Sequence, residues 1–373
     1  MRRVAFIIDY VMHYHRDFLR ALEQRVAERG GRLTLFTARH RTPIPGRTPL
    51  DTPVVADQRT YTLHERRVGG FWLRYQAGLV RGIRRLGPDV VISTCHSGTV
   101  SEWGLAALKR MLGFRLIAWQ CGFEYNPGRV KDALLPRFIP LFDHHLAYHT
   151  NAQAYALRYG ARPSQVSVMH NTIDEGRIAP IEKTVARRAL DARFPALRGK
   201  VVVLYVGALL DEKLLENVID ALDRLRDPRV AFLLVGDGPH RPALEARSAG
   251  REDVVFAGRI VEGVGSIFDG ADLFVLPGTG GLALNEAMAH GLPLLSGYAD
   301  GSADDLVQDG VNGYRLHDGS AELAGRLRAL VEDAELRARM GARSRELITT
   351  RFSFHHFIDT VTRVVHAEAN GDA

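Results

Sequence analysis

Lys213, Glu286 and the glycines Gly278, Gly280 and Gly281 are the residues of this chain whose types and spacing point most directly to chemistry. The glycines follow an apolar run, Leu273–Leu276, closed by Pro277, and precede a helical stretch that ends near Ala289. A second apolar run, 292–295, comes at once. Strand, glycine loop, helix and strand form a βαβ corner that puts a helix N-terminus at the C-terminal edge of a parallel sheet. First-turn amides there lack intrahelical partners and the helix dipole favours negative charge, so the corner is an anion site. Glu286 lies one turn inside, where a carboxylate accepts hydroxyl protons from a ribose beside a phosphate group. Lys213 opens the helical segment after the strand Val201–Val206 and Gly207, placed to pair with a diphosphate. Tight turns and solvated charges remain the structural alternative for each residue taken singly.

The first half of the chain offers polar side chains at other strand ends. A strand at 4–8 runs into His13, His15 and Arg16, a second at 90–94 into His96, and a third at 116–119 into Cys121 and Glu124. Such loops hold ligands in parallel α/β sheets, so these residues are candidates for contact with a substrate. Cys121 has no evident base partner, which argues against nucleophilic thiol chemistry. In the segment 144–149, read as a strand, alternation sends His145 and His149 to one face and His144 to the other. No carboxylate or cysteine spacing completes a metal site there, and the histidines are read as core hydrogen-bonding residues.

These residues need elements to position them. Strands at 33–37 and 166–169 complete the first run, and those at 232–235 and 254–256 join the second, with helical stripes between them. The loops after the latter two strands carry Gly236 and Arg259. Two runs of alternating strand and helix imply two doubly wound α/β domains rather than one closed barrel. Residues 39–53, rich in Pro, Arg and Thr, read as an irregular excursion. The segment 66–85, opening on Arg66 and ending on Arg85, holds six arginines and no acid. Phe71, Tyr75 and Leu79 share a helical stripe there, so a helix is expected. Its basic, aromatic face suits anionic lipid headgroups, or else packs on the core with its arginines in water.

Bulk properties narrow the classes. A chain of 373 residues with 46% apolar and 25% charged residues can bury two cores. A formal charge of +6 and a pI near 9.4 favour anionic surroundings without choosing among them. Two cysteines make no disulfide framework, no apolar run spans a bilayer, and no leader pattern is evident, so a cytoplasmic protein is expected, with peripheral contact to the inner face of the cell membrane open. The basic residues lack a base-reading module, so no nucleic acid is expected.

With these elements in place, the chain resembles the nucleotide-sugar glycosyltransferases of the GT-B fold, especially retaining family 4. The resemblance rests on the stretch from Gly278 to Gly297, on Gly207 with Lys213, and on Gly236-Asp237-Gly238-Pro239. It is supported by residues 256–259, by 309–314, and by the hinge-like segment 169–174 with Asn171. It implies two Rossmann-like domains facing each other across a cleft. An acceptor domain would span 1–172, a linker 173–200 and a donor domain 201–350, with a terminal helix in 351–373 packing back on the first domain.

The resemblance also implies a nucleoside diphosphate sugar held by Gly207, Lys213, Gly236, Arg259, Gly280, Gly281, Leu282 and Glu286, with Lys213 as the catalytic cation. His96, His13 and Glu124 are the acceptor-side candidates. It implies retention at the anomeric carbon, a hydroxyl acceptor such as a lipid-linked saccharide or glycolipid precursor, no tightly bound cofactor and no required metal. Three positions depart from the pattern, one of them Cys121, which precedes Gly122 where many members have His-Gly. Ala208 stands where an arginine is usual, and Gly278 where a carboxylate is usual, eight residues before Glu286. The alternatives are transfer to a small natural product, nucleotide-sugar epimerisation, and a donor-binding partner subunit with impaired catalysis.

Overall fold

The computed structural model describes residues 1–39, 50, 52–68, 71–122, 128–260 and 262–367. They divide into two compact units. The first comprises the described residues up to Asn171 together with those from His355 onward, and the second runs Thr172–Phe354.

The first unit is built on an eight-stranded sheet. In chain order its strands are β1 Arg3–Ile7, β2 Arg32–Ala38, β3 Gln58–Val68, β4 Phe71–Ala77, β5 Val90–Ser93, β6 Arg115–Gln120, β7 His144–Ala147 and β8 Val166–Val168. Their spatial order is β4-β3-β2-β1-β5-β6-β7-β8, and every pair is parallel except β3 with β4. The central strands carry continuous apolar runs because helices cover both faces, as a parallel sheet requires. Phe6, Phe18 and Trp119 pack edge-on or tilted with ring centroids 4.8–5.7 Å apart. The terminal helix Phe354–His366 joins this cluster through Phe357, whose ring lies 5.2 Å from Phe18 and 6.0 Å from Trp119.

The second unit holds a six-stranded, all-parallel sheet. It contains β9 Val201–Val206, β10 Val230–Val235, β11 Val254–Gly258, β12 Leu273–Leu276, β13 Leu294–Ser296 and β14 Gly313–Arg315, in the order β11-β10-β9-β12-β13-β14. The stretch 173–200, read above as a linker, carries a helix, Lys183–Arg193. Its Arg187 pairs with Asp272 at 2.8 Å, and Leu190 lies against Gly270.

The expected helix across 66–85 is not formed. β3 and β4 pair antiparallel there instead, and of the described residues in this segment only those from Leu79 on, in the helix Leu79–Leu86, are helical. Cross-strand pairs explain the outcome. His64 stacks on Tyr75, and Glu65 accepts from Arg74 at 2.9 Å, each pair directly in register. Aromatic and β-branched residues with matched charges reward the period of two over the helical stripe. The strand expected over 144–149 ends at Ala147, because His149 instead caps the helix Thr150–Arg158 by accepting from the Ala152 amide at 3.1 Å.

Candidate active site

In each sheet the strand order reverses at one place. In the second unit this switch lies between β9 and β12, and in the first between β1 and β5. Loops leaving adjacent strands toward opposite faces open a crevice at their carboxyl ends, the usual ligand position in such sheets.

At the β9/β12 switch, the two loops are stitched together by their backbones. Thr279 donates its amide to the Glu212 carbonyl at 2.9 Å. Lys213 ends the 3-10 turn Asp211–Lys213 and is only 7% exposed. Its Nζ donates to the Thr279 carbonyl at 2.8 Å and to Thr279 Oγ1 at 3.2 Å. The ammonium is thereby held beside Gly280, just before the helix Leu282–Ala289 begins. A fixed cation and a helix N-terminus converge on one place, an arrangement suited to a diphosphate. Glu286 lies one turn into that helix. Burial raises its pKa above the ordinary 4.5, partly opposed by His290. His290 stacks on Phe268 and its Nδ1 lies 2.7 Å from Asp269 Oδ1.

Gly278 is where the first carboxylate of the family pattern is missing, and the structure shows why a side chain is excluded. A Cβ there would fall 2.5 Å from the Lys213 carbonyl carbon and 2.6 Å from its Cα. The absence of a side chain at Gly278 lets the lysine loop seat directly on the glycine loop. Ala208, at the missing arginine, offers its carbonyl to the buried Tyr205 hydroxyl at 2.8 Å. Gly207 and Gly236 follow β9 and β10, whereas Arg259 is exposed just past β11, the outer strand. Sequence reading overlooked Asp300, whose Cγ would lie 2.9 Å from a Cβ on Gly281 and whose Oδ1 accepts from the Ser302 amide at 3.1 Å.

At the β1/β5 switch, His13 is exposed in the turn His13–His15 after β1, with Arg16 exposed just beyond, and His15 Nδ1 accepts from the Met12 amide at 3.1 Å. His96 follows β5 and is 9% exposed. The preceding residue, Cys95, adopts a left-handed conformation with φ 58°. That turn is braced by Glu102, whose carboxyl accepts from the His96 amide at 2.8 Å, from Ser93 Oγ at 2.7 Å and from Thr94 Oγ1 at 3.3 Å. Glu102 is 1% exposed, and burial pushes its pKa up to about 8 against the pull of those donors, with Asp9 adding to the rise.

Asp9 lies two residues past β1 and is itself held by β3 and β4. It accepts from the Tyr61 hydroxyl, from Gln76 Nε2 at 2.8 Å, and pairs with Arg74 at 2.6 Å. Burial and then Asp9 raise the Tyr61 pKa. Arg74 and Gln76 also donate their amides to Gly98 O at 2.9 Å and Ser101 Oγ at 2.8 Å, so β4 braces the His96 loop. This network was missed because reading β4 as helix hid the alternation that aims Arg74 and Gln76 at Asp9.

Cys121 sits half-buried at the end of β6, and Glu124 lies outside the described residues. Burial drives His144 and His145 to about 4, so both are neutral. Asn171 donates its amide to Tyr148 O at 2.9 Å, next to the point where the two units divide.

Comparison with known proteins bears on both units. Residues 17–177 match the family described as Glycosyltransferase Family 4, and residues 200–333 match Glycosyl transferases group 1. Together the two matches span most of the chain and relate it to the GT-B glycosyltransferases of family 4 and group 1. The chain is 26% identical over 351 residues to sulfoquinovosyl transferase SQD2 of Arabidopsis thaliana, covering 75% of the chain and 67% of that protein. It is 33% identical over 181 residues to an alpha-D-kanosaminyltransferase of Streptomyces kanamyceticus, covering 46% of each. The chain thus matches about half to two thirds of the length of these curated relatives. Among solved structures, Anabaena HepE in complex with UDP superposes with a TM-score of 0.74 at 18% identity, covering 98% of this chain and 99% of that one. Sucrose-phosphate synthase from Thermosynechococcus elongatus gives 0.74 at 18% identity, covering 98% of each. These likenesses show the GT-B architecture of two Rossmann-like domains.

Proposed function

We propose that this glycosyltransferase moves a sugar from a nucleoside diphosphate sugar to a hydroxyl acceptor with retention at the anomeric carbon. The observation that carries the reading is the Lys213 ammonium tied to Thr279 at the N-terminus of the Leu282–Ala289 helix, with Glu286 one turn below. Negative charge grows on the diphosphate as the sugar leaves. A cation already held in place and amides already aimed at that charge lower the barrier without reorganising. Glu286 accepts from the ribose hydroxyls. The departing phosphate oxygen takes the acceptor proton on the same face of the sugar, so the reaction needs no pair of flanking carboxylates. His96 and His13 border the acceptor, with Glu102 and Asp9 holding their loops. The neighbour solved with UDP supports a nucleotide-bearing donor.

A membrane-borne acceptor is favoured over a soluble one by the hairpin. Arg66 and Arg67 are exposed beside Val68, Trp72, Leu73 and Tyr75, which are 50%, 38%, 36% and 51% exposed. Arginine next to exposed aromatic and apolar side chains suits an anionic headgroup layer. Among the described residues no helix is long and apolar enough to cross a membrane.

Mass spectrometry after incubation with a panel of nucleotide sugars, extracted lipids and soluble saccharides tests the reaction. Acceptor-dependent nucleotide release with a glycosylated product is expected, and Lys213→Ala should lower kcat by about 10²-fold or more. Conversion of the donor alone would replace transfer with epimerisation, and binding without turnover would leave a donor-binding subunit. Sedimentation with anionic and neutral vesicles, comparing wild type with an Arg66→Glu, Arg67→Glu variant, tests the surface. Equal binding in all four mixtures would refute it.

A further inference from the structure

We propose a divalent-cation site formed by Asp211, Glu216 and His240 in the second unit, independent of the donor reading above. One ligand atom from each of these side chains lies within 4.8 Å of the other two. Three donors around a metal at roughly 2.1 Å stand about 3–4 Å from one another, so small rotamer adjustments complete the set. One imidazole nitrogen with two carboxylates is a donor set for first-row divalent ions such as Zn²⁺ or Mn²⁺, and it leaves coordination positions open.

The three residues come from separate backbone segments that are already fixed to one another. Asp211 starts the 3-10 turn that ends on Lys213, and Glu216 is the first residue of the helix Glu216–Leu225. That helix buries Val218, Ile219 and Leu222 in the core, so the Glu216 Cα is rigidly placed. His240 ends the loop after β10, where its amide donates to Leu209 O at 3.1 Å while Leu209 N donates to Asp237 O at 3.0 Å. Gly238 permits this contact, since a Cβ there would fall 2.8 Å from the Leu209 nitrogen. His240 Nε2 already faces Glu216 Oε1, and Asp211 is exposed. Two backbones locked in register bring the ligands together with little ordering left to do on binding. A bound cation would join the loop after β9, which carries Lys213, to the loop after β10, which begins with Gly236.

A purely structural His240–Glu216 hydrogen bond is the competing explanation, and metal titration separates the two. The full chain, stripped with EDTA and transferred to chelator-free buffer at pH 7.5, is titrated calorimetrically with ZnCl₂ and separately with MnCl₂. Saturable binding of about one equivalent is expected for at least one ion, weakened more than about tenfold by His240→Ala and by Glu216→Gln. The same ion should raise the melting temperature of wild type but not of either variant. Asp211→Asn, a change at an exposed side chain, repeats the comparison if the other variants fold poorly. Absence of saturable binding to wild type, or binding unchanged in all three variants, would overturn the proposal.

Discussion

Replacing Glu102 with glutamine should make the protein more stable at pH 7 and flatten part of its stability profile. Glu102 is 1% exposed and its carboxyl pKa is raised from an ordinary 4.5 to about 8, chiefly by burial. The folded chain therefore holds this proton more tightly than the unfolded chain. Its favourable contribution is fully present below pH 4.5, falls as pH climbs through the interval, and is lost above about 8. Within that window one such group contributes a slope of at most about 1.4 kcal/mol per pH unit. For a unit of this size, that corresponds to roughly 3–6 °C of melting temperature per pH unit.

Glutamine keeps the shape of the protonated acid. Its carbonyl can accept from the His96 amide and its NH₂ can donate to Ser93 Oγ, the two closest contacts of the carboxyl. It has no proton to lose. Melting temperatures of wild type and Glu102→Gln, measured by calorimetry from pH 4.5 to 8.5, should coincide near the acid end and diverge steadily above it. Other titrating groups are common to both proteins and cancel in the difference. Parallel curves across the window would refute the reasoning, because they would mean that Glu102 titrates alike in the folded and unfolded chain.

Gly278→Ala should destabilise by about 1–3 kcal/mol in chemical denaturation, since the Glu212–Lys213 backbone must move to admit the methyl group. An unchanged midpoint would mean the two loops are not seated on each other. Leu214→Gly should stabilise by up to about 1 kcal/mol, because Leu214 is left-handed at φ 53° and 46% exposed, so relief of strain outweighs lost burial. Equal or lower stability would reject that account. Glu286→Ala should weaken nucleotide-sugar binding by about tenfold or more in calorimetry. In wild type the affinity should fall with decreasing pH before the ordinary carboxylate value of 4.5 is reached, as the buried carboxylate takes up its proton. Affinity unaffected by the substitution would remove Glu286 from the ribose role.

Much of the second unit's strand-and-loop layout around Lys213 was legible one-dimensionally because its signals are local. Val201–Val206 and Leu273–Leu276 are short apolar runs, closed by Gly207 and by Pro277, and both form strands with the expected limits. A buried parallel strand and a following helix leave that pattern whatever surrounds them. Two doubly wound domains follow from the alternation itself, as the two sheets show. The segment 66–85 was misread because six arginines and a set of aromatics fit two periods, and only pairing with residues 58–68 chooses between them.

The sequence by itself determined which strands and turns would carry the candidate residues, since turn chemistry and hydrophobic period act over a few residues. Tertiary structure decided what each of those residues faces. Thr279 holds Lys213 across 66 positions, and Gln76 reaches Asp9 across 67. Glu102, an unremarkable letter in a helix, is a buried acid only because Ser93, Thr94 and the His96 amide close over it. Burial and long-range contact are properties of packed surfaces, and packing is where desolvation and hydrogen bonding set the charge of a side chain.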